Sequence, residues 1–464
     1  MEYLPTKTDP LPKNSTFFTL NLLRLPGGWL RRSHTFYICL VVSLVLMAGT
    51  MRAARWNINQ VFVSDMGGYY LYLPSAFLLN DLGNGQWGLA ASRAHQPQTD
   101  QVTNMVTLPN GKVVYKYTMG MAVAYSPFFF LARGIYYAQG RRVTTGYEYG
   151  YQFAITWGCV AYVLLGLWVL GRELRRYFSD QAAALTVLII LLGTNLFTYT
   201  SNETIMSHGT LFLLAVLLLR YTRRWYEQNP SRWTDALWLG GVGGLLVLIR
   251  PSELMLLGVP VLWGLDSRTA VAGRLRFWRQ RWGQALLIVG LVVLVAGQQL
   301  VFWRLVGGQW SVPFYKGEGF NFADPHIIDG VFSFRKGWLV YSPLMALSLV
   351  GIAWARRWAA PAWPVLLVLT PVYFYVTFCW WNWEYGGSYG GRALISLYPV
   401  LAFGMAAFWQ RWLGPFRLAW FPPVLLLLLL SIIQNYQYLV MLLSCCDMSW
   451  EKYKDHFLVL SWPH

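Results

Sequence analysis

Charge is what this sequence has least of. Asp, Glu, Lys and Arg make up 12% of its 464 residues, against about 25% in an average soluble domain. With 56% hydrophobic residues and a mean hydropathy of +0.38, this excludes a soluble multidomain enzyme and a disordered chain alike. Negative charge is scarcest, at 20 Asp and Glu against 37 Lys and Arg, a formal +17. In a soluble protein that excess would point to nucleic acid. The five cysteines Cys39, Cys159, Cys379, Cys445 and Cys446 form no CxxC pair and no metal-ligand spacing, so neither a disulfide framework nor a zinc site is expected; the sequence gives no reason for the adjacent Cys445 and Cys446. No internal repeat, low-complexity tract or linker divides the chain, and residues 1–464 read as one transmembrane domain.

What the chain has in abundance is long apolar runs. A spanning helix needs about 20 mostly apolar residues, and the pattern predicts eleven: 35–51, 150–171, 181–198, 205–220, 235–250, 252–266, 284–306, 338–355, 361–380, 392–410 and 419–443. The expected fold is an all-α polytopic membrane protein. Over thirty residues precede the first run, and Arg31-Arg32 lie just before it, which fits an uncleaved first span rather than a signal peptide.

Arginine clusters orient the spans: Arg172, Arg175, Arg176; Arg220, Arg223, Arg224; Arg268, Arg274, Arg276, Arg279, Arg281; Arg356, Arg357; and Arg411, Arg417. With the N-terminus cytoplasmic and a tight hairpin at Arg250-Pro251, every cluster faces the cytoplasm, as the positive-inside rule requires. The basic excess is then a matter of topology, and nucleic acid drops out as a partner, leaving membrane lipids. Thirteen of the twenty carboxylates fall on the outer face, which places the chemistry there. Three outer segments are long: 52–149, expected to carry interfacial helices, 307–337, and the Trp/Gly-rich 381–391. Segment 117–140 is apolar enough to enter the bilayer, but a full crossing would turn every later Arg cluster outward. It is expected to be interfacial or re-entrant, with Arg133, Arg141 and Arg142 at the headgroups.

The first outer loop opens with Val61-Phe-Val-Ser-Asp-Met-Gly-Gly-Tyr-Tyr70. Asp65 against an aromatic wall that includes Tyr69 and Tyr70 is partly desolvated, which suits a general base acting on a hydroxyl. The plain alternative is an Asp capping a loop helix. Gly67 and Gly68 would let a substrate approach the backbone.

Tyr115-Lys-Tyr-Thr-Met-Gly120 with Ser126-Pro-Phe128, Asn202-Glu-Thr-Ile-Met-Ser-His208, Arg335-Lys-Gly-Trp-Leu-Val-Tyr-Ser-Pro343 and Trp380-Trp-Asn-Trp-Glu-Tyr-Gly-Gly-Ser-Tyr-Gly-Gly-Arg392 follow that acidic residue. Together they resemble the GT-C superfamily of integral-membrane glycosyltransferases, in particular bacterial relatives of protein O-mannosyltransferases and of the lipid A aminoarabinose transferase. The resemblance implies a GT-C-like fold and inverting transfer of a sugar from a polyprenyl-phosphate donor to a lipid, glycan or protein acceptor. It also implies a bacterial cytoplasmic membrane with the active site on the periplasmic or extracellular face. In such enzymes the acid of the first outer loop is the base or lies beside it, and Asp65 is the matching position. The family often has paired acids there; here a single Asp precedes Met-Gly-Gly.

A lipid-linked donor also suits an outer face that nucleotide sugars do not reach, and the chain has no Asp-x-Asp pair to hold a nucleotide–metal complex. Its phosphate needs cations in apolar surroundings. Lys116 stands where related transferases often place a phosphate-contacting Lys, and Arg250, Lys316, Arg335, Lys336 and Arg392 lie at outer ends of spans; a snorkelling side chain is the ordinary alternative for each. Arg392 follows a glycine-rich loop and can grip phosphate with two parallel hydrogen bonds. Glu384, Trp383 and Tyr389 are candidates for holding the sugar, although tryptophans at that height also form interfacial belts. Glu203 and His208, with Tyr69 and Tyr70, are expected to place the acceptor or support the base; Asp65, Glu203 and His208 are the only candidate ligands should a divalent cation be required. The 314–329 loop, rich in Gly and aromatics, suits sugar stacking, gating or a seat on headgroups. The rival functions are a transporter or flippase of lipid-linked saccharides and a noncatalytic envelope-assembly partner. A transporter should carry ionisable residues at mid-membrane, where runs such as Ala183–Leu191 and Val424–Leu430 are apolar.

Overall fold

The computed structural model describes residues 33–95, 105–143, 145–228, 232–312, 317–413 and 417–460; Lys316 and Arg31-Arg32 lie outside them. The protein is all-α and polytopic. The one sheet among the described residues is a hairpin pairing Met105–Thr107 with Val113–Tyr115. Among the described residues six helices are long and apolar enough to cross a membrane: His34–Ile58, Tyr149–Leu174, Trp282–Gly307, Ala360–Phe378, Arg392–Trp412 and Phe421–Leu439.

The other five expected spans are helical but shorter, broken or charged at one end. Asp180–Leu192 stops at Gly193, and a separate turn, Leu196–Ser201, follows. Pro251, which cannot extend the helix before it, starts a 3-10 segment, Pro251–Leu257, and a single turn, Gly258–Leu262. The 338–355 run divides into Trp338–Tyr341, Pro343–Met345 and Ala346–Trp358. Ser207–Glu227 is long, but its last two turns carry Arg220, Arg223 and Arg224.

The arginine clusters gather at one end of the bundle. Glu173 accepts Arg220 at 2.8 Å and Arg223 at 2.6 Å, with Arg176 at 3.4 Å. Arg224 meets Asp235 at 2.6 Å, Arg274 donates to the Pro260 carbonyl at 3.2 Å, and Arg356 donates to that of Asp266 at 3.3 Å. Arg175 meets Asp180 at 3.0 Å, and Gln410 accepts the Ser179 amide at 2.7 Å. These bonds also verify the hairpin at Arg250-Pro251. Asp235 and Pro260 both sit beside the 221–227 turn, since Tyr226 donates to Pro260 at 2.8 Å. Trp233–Ile249 therefore leads away from the Arg-rich end and the next segment returns to it.

Gly120–Ala138, the helix within 117–140, packs antiparallel on the first half of Tyr149–Leu174. Tyr162 donates to the Ala124 carbonyl at 2.9 Å, and further along Tyr136 accepts the Gly150 amide at 2.8 Å. It stays in the half of the bundle away from the Arg-rich end. Trp282–Gly307 measures the depth. Gln284 accepts from Trp225 at the Arg-rich end, while Gln299 accepts the Met119 amide; between the two the helix rises about 22 Å.

Helix contacts are closest where both partners lack side chains. A Cβ on Gly351 would stand 1.8 Å from the Gly404 carbonyl oxygen, and one on Gly404 2.2 Å from that of Ser348. Small residues let membrane helices approach to backbone contact. Gly351→Ala should therefore force Ala346–Trp358 off Tyr398–Trp412 and cost about 1–3 kcal/mol, measured as a lower unfolding midpoint in detergent; an unchanged midpoint would refute this contact.

Candidate active site

At the end of the bundle away from the arginine clusters lies a cavity of ≈ 990 Å³. The first outer loop, the Asn202–Met206 turn, the Arg250-Pro251 hairpin and the Trp/Gly-rich loop all contribute to it. Four cations (Arg55, Lys116, Arg250, Arg392) and three carboxylates (Asp65, Glu203, Glu318) line it, so the charge balance favours an anionic guest.

Asp65 sits in the first turn of the short helix Ser64–Tyr70 but does not cap it, since Val63 is the N-cap and no side chain caps the helix. Its side chain is 35% exposed. Tyr117 donates to its Oδ1 at 2.6 Å, and Arg392 approaches Oδ2 at 3.5 Å. The preceding Ser64 has φ +48°, a left-handed conformation that a side chain adopts at a cost. Gly67 and Gly68 are buried inside the helix rather than open to a substrate. Tyr117 is the functional candidate that sequence reading passed over: the Tyr-Lys-Tyr triplet drew attention to its lysine, and only the fold brings the tyrosine to Asp65. Tyr117→Phe should keep the fold and lower turnover about tenfold by freeing the carboxylate to rotate; an unchanged kcat would remove Tyr117 from the site.

Arg392 opens a 3-10 turn behind Gly391. Its guanidinium donates to the Tyr385 carbonyl at 2.6 Å and is 12% exposed. The loop that presents it is wound through left-handed residues: Tyr385 at φ +56°, Gly386 at +68°, Gly390 at +52° and Gly391 at +61°. A Cβ on Gly390 or Gly391 would meet Tyr341 or Trp338 at 2.7 and 2.9 Å, so these two glycines serve close packing as well as backbone freedom. Asn195 holds the loop from below, donating to the carbonyls of Tyr389, at 3.0 Å, and Gly390. Arg250 caps Trp233–Ile249 and reaches Glu253 at 3.7 Å. Glu253 is fully buried and accepts from Tyr373 at 2.9 Å and Ser396 at 3.0 Å. Lys116 lines the cavity. Desolvation raises the pKa of Glu203, with Arg392 and Arg55 pulling the other way.

Other candidates are placed elsewhere. Tyr69 lines the cavity with its ring 4.5 Å from Tyr117, but Tyr70 is buried, stacked on Phe62 and donating to the Gly146 carbonyl. His208 is buried against Tyr199 and does not line the cavity, so it does not join Asp65 and Glu203. Among the described residues no group of three His, Cys, Asp or Glu side chains could hold a metal ion. Tyr389 is buried, stacked on Tyr438. Glu384 pairs with Arg335 at 2.8 Å, and Trp383 stacks on His326; both line a neighbouring hollow.

Lys336 is buried too, pinning the glycine-rich loop to the C-terminal segment by donating to the carbonyls of Ser388, at 2.6 Å, and Cys445. Cys445 and Cys446, which the sequence left unexplained, are joined as a vicinal disulfide, a local link rather than part of a framework. Burial lowers Lys336 from 10.5 to about 8. Between those values the unfolded chain binds more protons than the folded one, so this group adds stability as pH rises from about 8 toward 10.5. Lys336→Met should flatten that rise in a pH series of thermal unfolding; an unaltered pH slope would refute it.

No protein-family model matches the chain, and no curated protein matches it. Among solved structures it is similar to the archaeal oligosaccharyltransferase AglB from Archaeoglobus fulgidus in complex with an inhibitory peptide and a dolichol-phosphate. The TM-score is 0.49 and the identity 13%, over 93% of this chain and 60% of that one. It is similar also to the Archaeoglobus fulgidus oligosaccharyltransferase in the apo form, with TM-score 0.49 and 12% identity, over 94% and 60%. The chain thus spans about three-fifths of the length of those structures.

Proposed function

We propose that this protein is an inverting GT-C-type glycosyltransferase that moves a sugar from a polyprenyl-phosphate donor to an acceptor on the outer face of its membrane. The observation that carries this reading is one cavity lined by Asp65 together with Arg392, Arg250 and Lys116, a carboxylate able to accept a proton beside cations able to bind phosphate. Asp65 takes the proton of the acceptor hydroxyl as its oxygen bonds to the anomeric carbon. The bond from that carbon to the phosphate oxygen breaks on the opposite face, and its electron pair passes to the phosphate, where the cations stabilise it. A single in-line displacement inverts the anomeric centre. The prenyl chain enters between Trp282–Gly307 and Trp363–Phe378, where Met255, Trp303 and Val376 line the cavity and Leu300 and Val372 face outward.

Transport is the weaker reading. Between the cavity and the Arg-rich end, Trp233–Ile249 has no ionisable residue after Asp235, and Ser207–Glu227 has none between His208 and Arg220, so no polar path continues through these helices. The test is purified protein in lipid nanodiscs with a panel of polyprenyl-phosphate sugars and acceptor-containing membrane extract, read by mass spectrometry. Sugar transfer or donor hydrolysis is expected. Donor binding without turnover across the panel would overturn the transferase in favour of a flippase or an assembly partner.

A further inference from the structure

Beside the main cavity lies a second hollow of ≈ 410 Å³. The two share Trp381, Asn382, Gly386 and Gly387, and the second adds Arg335, Trp383, Glu384 and Cys446. Their chemistry differs. The main cavity collects cations, whereas the one cation of the hollow, Arg335, is paired with Glu384 at 2.8 Å, and an anion gains little there. What it offers is the half-exposed indole of Trp381, the Asn382 amide, and a carboxylate–guanidinium pair fixed in place. A flat apolar face bordered by oriented donors and acceptors suits a ligand with the same division. A pyranose has it: a C–H face that packs on indole and a rim of hydroxyls. Gly386 lines both hollows, nothing lies within 4 Å of where its side chain would begin, and its φ of +68° disfavours any other residue.

We infer that this hollow is the acceptor subsite and that the acceptor is a neutral saccharide. It stacks on Trp381, with its hydroxyls held by Asn382 and Glu384 and the reacting hydroxyl presented past Gly386 toward Asp65. The inference rests on the transferase reading and narrows its acceptor to a glycan.

Saturation-transfer NMR on the protein in nanodiscs tests it, with maltotriose, mannotriose and chitotriose as probes and undecaprenyl phosphate measured separately. At least one trisaccharide should bind. Trp381→Ala, at an exposed position that leaves the fold intact, should weaken it about tenfold or more, and Trp381→Phe should restore part of the loss. Glu384→Gln, at a side chain that lines the hollow and not the main cavity, should also weaken trisaccharide binding while undecaprenyl phosphate affinity stays within about twofold. Absence of trisaccharide binding to a protein that binds undecaprenyl phosphate, or equal binding to the Trp381→Ala protein, would overturn the saccharide subsite and leave the donor site standing. Trisaccharide binding that depends on Trp381, in a protein that ignores undecaprenyl phosphate, would uphold the subsite and strike the donor reading instead.

Discussion

Asp65→Asn is expected to leave a folded protein that binds polyprenyl phosphate normally but transfers sugar about 10²–10⁴ times more slowly, the usual span for loss of a positioned general base. The substitution keeps the shape of the side chain and an oxygen able to accept the Tyr117 hydroxyl now 2.6 Å from Oδ1. What it removes is the ability to take a proton. The cost to the fold is small, because Asp65 is one-third exposed and its contact with Arg392 is long, at 3.5 Å, and partly solvated ion pairs contribute little. Single-turnover transfer with a saturating donor, beside a binding isotherm for the lipid phosphate, separates the two effects. An Asn variant with wild-type turnover would remove Asp65 from the mechanism.

Arg392→Ala should show the second-largest loss, about 10²–10³-fold in kcat/KM, with weaker binding of the lipid phosphate as well. Arg392 is a cation in contact with Asp65. Its guanidinium is divided between the Tyr385 carbonyl at 2.6 Å and Asp65 at 3.5 Å. In the proposed mechanism a donor phosphate competes for it, which draws the cation from Asp65 and leaves the carboxylate to the acceptor proton. Arg392→Lys keeps the charge but lacks the planar fork that can hold the loop carbonyl and a phosphate together, so recovery should be partial. Isothermal titration with undecaprenyl phosphate and steady-state transfer check both variants, with unfolding midpoints as the control for the loop. Unchanged phosphate affinity in Arg392→Ala would assign the donor to Arg250 and Lys116 instead.

How far the site was legible follows from how its residues are separated along the chain. Arg392 and Arg250 stood out because each lies at the edge of a long apolar run, where a charge has to be accounted for locally. Asp65 was visible from its aromatic neighbours and Lys116 from the resemblance, and both line the cavity with them. His208, Tyr70, Tyr389 and Lys336 carry equal chemical promise and lie close to the same runs, yet they are buried in packing contacts. Which face of a helix or turn meets the cavity depends on neighbours far away in sequence, and hydropathy does not encode it. Tyr117 was lost in the same way, since it lies in a loop and its partner Asp65 stands in a helix 52 residues earlier.

From composition and the spacing of apolar runs alone, the chain was bound to be an all-α membrane protein with its arginines at one end, because water-facing charge is too scarce for anything else and short loops sort by sign. Tertiary structure decided what the helices do with their length. Gly193, Pro251 and the breaks after Tyr341 end several of them early, and longer helices such as Trp282–Gly307 pass beyond those ends. The bundle thereby acquires a cavity rather than a flat rim, and residues 327 positions apart, Asp65 and Arg392, come within 3.5 Å. Local sequence sets the period and the stops of each helix; packing between helices sets which stops coincide, and here that coincidence makes the site.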